Sequence, residues 1–96
     1  MAAKLKYYHK AKLHNRYIIE IVLYEVPKTK KYPLGVRYSL ICIEPKSGHK
    51  VLMDNHHPKG PHLHIDDREI DYDFVTDEKL FDDFEQLVLE HMGVKL

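Results

Sequence analysis

The chain has 96 residues, of which 44% are hydrophobic and 31% are charged, so we expect one globular domain, residues 1–96, rather than two or a disordered chain. The lone cysteine, Cys42, excludes an intrachain disulfide and a cysteine-based zinc site. The longest nearly apolar run, Tyr17–Tyr24, is too short to cross a bilayer, and the lysine-rich N-terminus lacks a signal-peptide pattern. These features predict a cytoplasmic protein with no membrane segment.

The net charge is zero, but the charges are distributed unevenly. Residues 1–50 contain 11 Lys or Arg and 3 Asp or Glu, whereas residues 51–96 contain 4 Lys or Arg and 12 Asp or Glu. Such asymmetry indicates a surface for nucleic acid or another charged partner, or basic and acidic elements that neutralise each other within one fold. Lys6, Lys10 and Lys12 are therefore candidate nucleic-acid contacts, with solvent-facing strand residues as the alternative interpretation.

The first half of the chain predicts three strands. The segments Leu5–Leu13, Tyr17–Val26 and Val36–Glu44 are rich in β-branched and aromatic residues, as strands usually are. A short polar break at residues 14–16 is typical of a hairpin turn, and the stretch at 27–35, with its two prolines, must be a loop.

The second half predicts three shorter strands and one helix. The strands are Lys50–Asp54, His62–Asp66 and Glu69–Phe74. Thr76 is a suitable N-cap, a single apolar stripe runs through the following residues, and Gly93 is a suitable C-terminal stop. We therefore predict an α+β fold: a meander-like antiparallel sheet of about five or six strands with the C-terminal helix packed on one face.

Four of the eight histidines lie in residues 54–66. If the end of this segment is a strand, His62, His64 and Asp66 share one face. The intervening Leu63 then points the other way, into the core. We expect the two imidazoles to stand together outside the core.

Three interpretations of this segment are open. Imidazoles at alternate positions can bind a divalent metal, the cofactor that these residues suggest, with His62, His64, Asp66 and His56 as candidate ligands. Alternatively, His62 and His64 beside Lys59 can carry out acid–base chemistry on a phosphodiester, since imidazole titrates near neutral pH. In the third interpretation, the histidines hydrogen-bond loop carbonyls and only support the loop.

Residues 38–84 also contain a series of short motifs. They are Asp54-Asn55-His56, Lys59-Gly60, His62-Leu63-His64, Asp67-Arg68-Glu69, Tyr72-Asp73-Phe74-Val75 and Leu80-Phe81-Asp82-Asp83-Phe84. In these motifs the chain resembles the TumE-type toxin family. It departs from the family pattern at Met53, where Tyr or Trp often stands, and at Leu63, where Arg often stands between the histidines.

The resemblance implies a toxin of a prokaryotic toxin–antitoxin pair, working in the cytoplasm and neutralised by a helix-turn-helix antitoxin encoded nearby. Carried over by residue, the motif positions are Asp54, Asn55, His56, Lys59, His62, His64, Arg68 and Glu69.

Together, the residues and the resemblance lead to one main hypothesis: a toxin that acts on RNA or translation through its His-rich loop, which lies within residues 54–66. A ribonuclease-like activity and an action without catalysis are both open at this point. The alternatives are a non-enzymatic binding module and a structural metal-binding protein. A homodimer and a monomer covered by its partner are both consistent with the sequence, because an open sheet has edges that need protection.

Overall fold

The computed structural model describes residues 3–96, which form one antiparallel sheet of six strands and one C-terminal helix. The strands lie side by side in chain order. Their bounds are β1 Lys4–Leu13, β2 Tyr17–Glu25, β3 Val36–Ile43, β4 Lys50–Asp54, β5 His62–Ile65 and β6 Arg68–Asp71, and the helix is α1 Asp77–Met92. The structure confirms the predicted α+β meander with its C-terminal helix.

The core lies between one face of the sheet and helix α1, which packs against β4. Successive strand residues face opposite sides of a sheet, and in β2 every second residue from Tyr17 to Leu23 is buried. On the helix, the predicted apolar stripe supplies Leu80, Phe84 and Val88, none of which is more than 1% exposed. The opposite face of the sheet, which we call the open face, is not covered by α1.

Both ends of the helix follow the sequence signals. The Thr76 hydroxyl accepts a hydrogen bond from the backbone N–H of Lys79 at 3.1 Å, which satisfies one of the free N–H groups of the first turn. Gly93 has a φ of 68°, and its N–H donates to the Leu89 carbonyl at 3.1 Å. The part of the chain that the structure describes contains no helix both long and apolar enough to cross a membrane.

Strand β5 ends at Ile65, one residue earlier than predicted, because Asp66 adopts a left-handed backbone conformation with a φ of 54°. Asp tolerates this conformation better than most residues. The Asp66 carboxylate accepts the backbone N–H of Lys50 at 3.1 Å. Asp66 therefore belongs to the turn before β6 rather than to the predicted strand face.

Strand β6 is shifted relative to the predicted Glu69–Phe74 and stops at Asp71. The chain then leaves the sheet, and the Tyr72 N–H donates to the Pro61 carbonyl at 3.2 Å. Phe74 stacks on Tyr38 with ring centroids 5.5 Å apart. Packing of the Phe74 ring against the core thus takes the place of strand pairing over residues 72–74.

His49, in the loop before β4, connects that loop to the β5–β6 turn and to the last turn of α1. Its Nδ1 contacts the Asp66 carboxylate, and its Nε2 donates to the His91 carbonyl at 2.7 Å, near the end of α1. Both acceptors are satisfied when the ring is an imidazolium. The bond to His91, and then the one to Asp66, raises the pKa of His49. The Lys50 N–H, and then His49, lowers the pKa of Asp66.

We expect this contact to make stability depend on pH. The contribution of His49 is complete below its ordinary pKa of about 6.5 and is lost as the pH rises through the raised pKa. That of Asp66 is complete above about pH 4 and is lost as the pH falls through the lowered pKa. The free energy of unfolding of His49→Gln should therefore lie about 1 kcal/mol below wild type near pH 6 and converge with it in alkali. Chemical denaturation of wild type and His49→Gln across pH, with His14→Gln as control, measures this difference in stability. A difference that persists in alkali contradicts the predicted pH dependence.

Candidate functional site

His62 and His64 lie next to each other on the open face of the sheet. Their ring centroids are 4.9 Å apart and the ring planes meet at 79°. Leu63, between them in sequence, points into the core and is 7% exposed. The predicted placement of the two imidazoles on one face is confirmed.

The burial of His62 departs from the expectation that both imidazoles stand together outside the core. Only 6% of its side chain is exposed, against 23% for His64. The Nδ1 of His62 lies 2.8 Å from the Gly60 carbonyl oxygen and must donate to it, because a carbonyl only accepts. Its Nε2 lies 3.3 Å from Oδ1 of Asp54. The preceding loop therefore holds His62 from one side and leaves His64 accessible.

Acidic side chains flank this pair on the neighbouring strands. Asp54 of β4 is directly opposite His62, and Glu69 of β6 is directly opposite His64. Oε1 of Glu69 is 3.6 Å from Nε2 of His64 and accepts from Nζ of Lys59 at 2.6 Å. We call these five residues, Asp54, Lys59, His62, His64 and Glu69, the histidine cluster.

The electrostatics of the histidine cluster favour an ionised Glu69. The hydrogen bond from Lys59 is the main cause that lowers the pKa of this carboxyl group, with smaller contributions from the charge of Lys59 and from the imidazoles of His62 and His64. A carboxylate next to a partly exposed imidazole can bind a cation, and the ammonium group paired with it can exchange the carboxylate for an incoming phosphate.

The structure does not bring the other candidate metal ligands, Asp66 and His56, into the histidine cluster. Asp66 lies in the β5–β6 turn and binds His49 and Lys50. His56 is exposed, and its backbone N–H, not its ring, contacts Asp54 Oδ1 at 3.2 Å. The ligand-capable group found in residues 3–96 is instead His62, His64 and Glu69, with one ligand atom from each within 4.8 Å of the others.

Two further motif positions, Arg68 and Asn55, lie outside the histidine cluster. Arg68 is exposed at the start of β6, paired in register with Ile65. Asn55 is 9% exposed; its Oδ1 accepts the Tyr38 N–H at 2.9 Å and its Nδ2 donates to the Val36 carbonyl at 2.7 Å. Asn55 therefore acts as a structural link between β3 and the His-rich loop.

A cleft of about 340 Å³ adjoins the His-rich loop. Gly60, whose carbonyl binds His62, lies in its wall together with Lys30 and Lys31. Tyr32 also lines the cleft, and its hydroxyl accepts the His57 N–H at 3.2 Å. These lysines were not among the candidates from the sequence, because the fold alone brings residues 27–35 next to the loop.

The three candidate lysines of β1 occupy different places. Nζ of Lys6 donates to Asp77 at the start of α1, at 2.8 Å, so this lysine joins the sheet to the helix. Lys10 and Lys12 pair in register with Glu20 and Ile18, which face away from the core. They share the open face with the histidine cluster, but four strand spacings, or about 19 Å, separate β1 from β5.

The fold and the histidine cluster define a small α+β protein with an imidazole and carboxylate site next to a cleft whose wall includes two lysines. The family model described as Toxin TumE matches residues 2–92. The chain therefore belongs to the TumE toxin family. Membership of this family indicates a toxin of a toxin–antitoxin system and implies an antitoxin partner. No curated protein and no solved structure matches the chain.

Proposed function

We propose that the protein is a cytoplasmic toxin that cleaves RNA at the histidine cluster. The observation that supports this most directly is the contact between the two imidazoles, in which His62 is held by the loop and His64 stays accessible. Imidazole accepts and releases protons near neutral pH, and cleavage of an RNA phosphodiester requires the transfer of a proton from the attacking hydroxyl.

In this proposal His64 is the general base. It takes the proton of the ribose 2′-hydroxyl, the 2′-oxygen attacks the adjacent phosphorus, and the 5′-oxygen leaves and takes a proton from solvent. His62 does not contact the substrate, because both its nitrogens face protein groups. It positions the His64 ring instead. The need for a 2′-hydroxyl selects RNA over DNA.

Lys59 is the group that neutralises the phosphate. Its side chain is 59% exposed and that of Glu69 is 42% exposed. An ion pair at this exposure contributes little to stability, because water screens the two charges. Exchange of Glu69 for a phosphate oxygen therefore costs little, and the ammonium group can move to the substrate.

The cleft beside Gly60 offers a path for the flanking nucleotides. Lys30 and Lys31 supply positive charge next to the loop, and the Tyr32 ring offers a surface for a base to stack on. Lys10 and Lys12 can extend this path across the open face. Exposed acidic residues cover the outer side of α1 and leave a surface for a basic helix-turn-helix antitoxin; they are Glu78, Asp82, Glu85 and Glu90.

The direct test is to incubate the purified full chain with total RNA and with a matched DNA, and to express it with and without the product of the neighbouring gene. We expect fragments from RNA only, and growth arrest that the neighbouring product relieves. Intact RNA together with growth arrest would contradict ribonuclease activity and favour a toxin that acts by binding alone.

A further inference from the structure

We propose that His62, His64 and Glu69 form a binding site for a divalent transition-metal ion such as zinc. One ligand atom from each of the three lies within 4.8 Å of the others. The two imidazoles come from alternate positions of β5, and the carboxylate comes from the residue opposite His64 on β6. All three side chains project from the same face of adjacent strands. Small side-chain rotations therefore bring their ligand atoms close enough together to coordinate one ion.

The hydrogen bond of His62 prepares this ring for coordination. Because Nδ1 donates to the Gly60 carbonyl at 2.8 Å, Nε2 is the nitrogen that faces the cluster. Histidines that bind metals through one nitrogen commonly donate the other N–H to a backbone carbonyl or a carboxylate, which fixes the tautomer and the ring orientation. The backbone of the His-rich loop thus supplies this supporting contact before any ion binds.

A cation also resolves the contact between His62 and Asp54. Nε2 of His62 lies 3.3 Å from Oδ1 of Asp54, and both groups are nearly buried, with 6% and 13% of their side chains exposed. In the neutral ring with hydrogen on Nδ1, two acceptors face each other here, and a positive charge on Nε2, from a proton or from a metal ion that displaces it, makes the contact attractive. Asp54 then balances the charge of the bound ion from the side away from Glu69.

The donor set selects the kind of ion. Two imidazoles and one carboxylate suit zinc and neighbouring transition metals, whereas calcium and magnesium prefer sets made of oxygen atoms. Lys59 competes for the same site, since its ammonium group contacts Oε1 of Glu69 at 2.6 Å. Removal of this lysine should therefore strengthen metal binding rather than weaken it.

The metal site goes beyond the proposed function, and only its regulatory consequence rests on that function. The Nε2 lone pair of His64 cannot coordinate an ion and accept a substrate proton at the same time. A bound metal should therefore inhibit cleavage by His64, and a chelator should restore it.

The experiment is a titration of tag-free full-length protein with Co²⁺, followed by displacement with Zn²⁺ and by thermal unfolding in Zn²⁺. We expect the protein to bind one equivalent of Co²⁺ and to show the visible absorption of a low-coordinate site with nitrogen and oxygen ligands. We also expect its melting temperature to be higher with Zn²⁺ than without it. His64→Ala and Glu69→Gln change partly exposed side chains, and each should weaken binding at least about 10-fold. His56→Ala should bind like wild type, and Lys59→Gln should bind more tightly.

Absence of saturable binding at micromolar Co²⁺, or equal affinity of wild type and His64→Ala, overturns the metal site whether or not RNA is cleaved. RNA cleavage is measured separately, with and without chelator. Cleavage that requires the metal would leave the site in place and contradict the role of His64 as general base. Failure of the metal site and failure of the proposed function are thus distinguishable.

Discussion

Replacement of His64 with alanine is expected to abolish growth arrest and to lower the rate of RNA cleavage by about 10²–10⁴-fold, the usual loss when a general base is removed. His64 is the accessible imidazole of the histidine cluster, with 23% of its side chain exposed. Its Nε2 faces Glu69 and, through that carboxylate, the ammonium group of Lys59. The measurement is single-turnover cleavage of an RNA oligonucleotide, in chelator, next to growth curves on induction.

The matched control is His56→Ala, a histidine of the same loop whose ring lies outside the histidine cluster. Both variants change exposed or partly exposed side chains, so each should keep a free energy of unfolding within about 1 kcal/mol of wild type. A pH–rate profile adds a second criterion: the limb that reports the base should be present in wild type and in His56→Ala and absent in His64→Ala. Full cleavage by His64→Ala would remove the imidazole from the mechanism.

The sequence predicts most of the fold because the local signals agree with the tertiary packing. The alternation of buried residues in β2, the Thr76 cap and the left-handed Gly93 follow rules that depend only on neighbouring residues. The ends of β5 and β6 were predicted less well. Asp66 leaves the strand face because the Lys50 N–H, far away in the chain, binds its carboxylate.

The histidine cluster likewise has features that local sequence signals predict and features that depend on residues distant in the chain. The spacing of His62 and His64 predicts a shared face, because strand side chains alternate. It does not predict that Glu69, rather than Asp66, lies beside them, since this depends on the turn that sets the β5–β6 register. The burial of His62 depends on the position of the Gly60 carbonyl, and no local pattern specifies it.

Asn55 is the motif residue whose role the structure changes most. As a motif position next to Asp54 it was a candidate for the functional site, yet its amide is used within the fold. It accepts the Tyr38 N–H and donates to the Val36 carbonyl, so the side chain continues the hydrogen bonding of β3 where β4 ends. The His-rich loop starts from this point.

We therefore expect Asn55→Ala to lower the free energy of unfolding by about 2–4 kcal/mol, because it leaves the Tyr38 N–H and the Val36 carbonyl without their side-chain partner. Asn55→Asp keeps the acceptor for Tyr38 but places a carboxylate oxygen against the Val36 carbonyl, so it should also destabilise. Chemical denaturation of both, with His56→Ala as the neighbouring control, measures the effect. Cleavage per folded molecule should fall far less than in His64→Ala, since Asn55 holds the loop and not the substrate. Wild-type stability in Asn55→Ala would show that the loop is held without this amide.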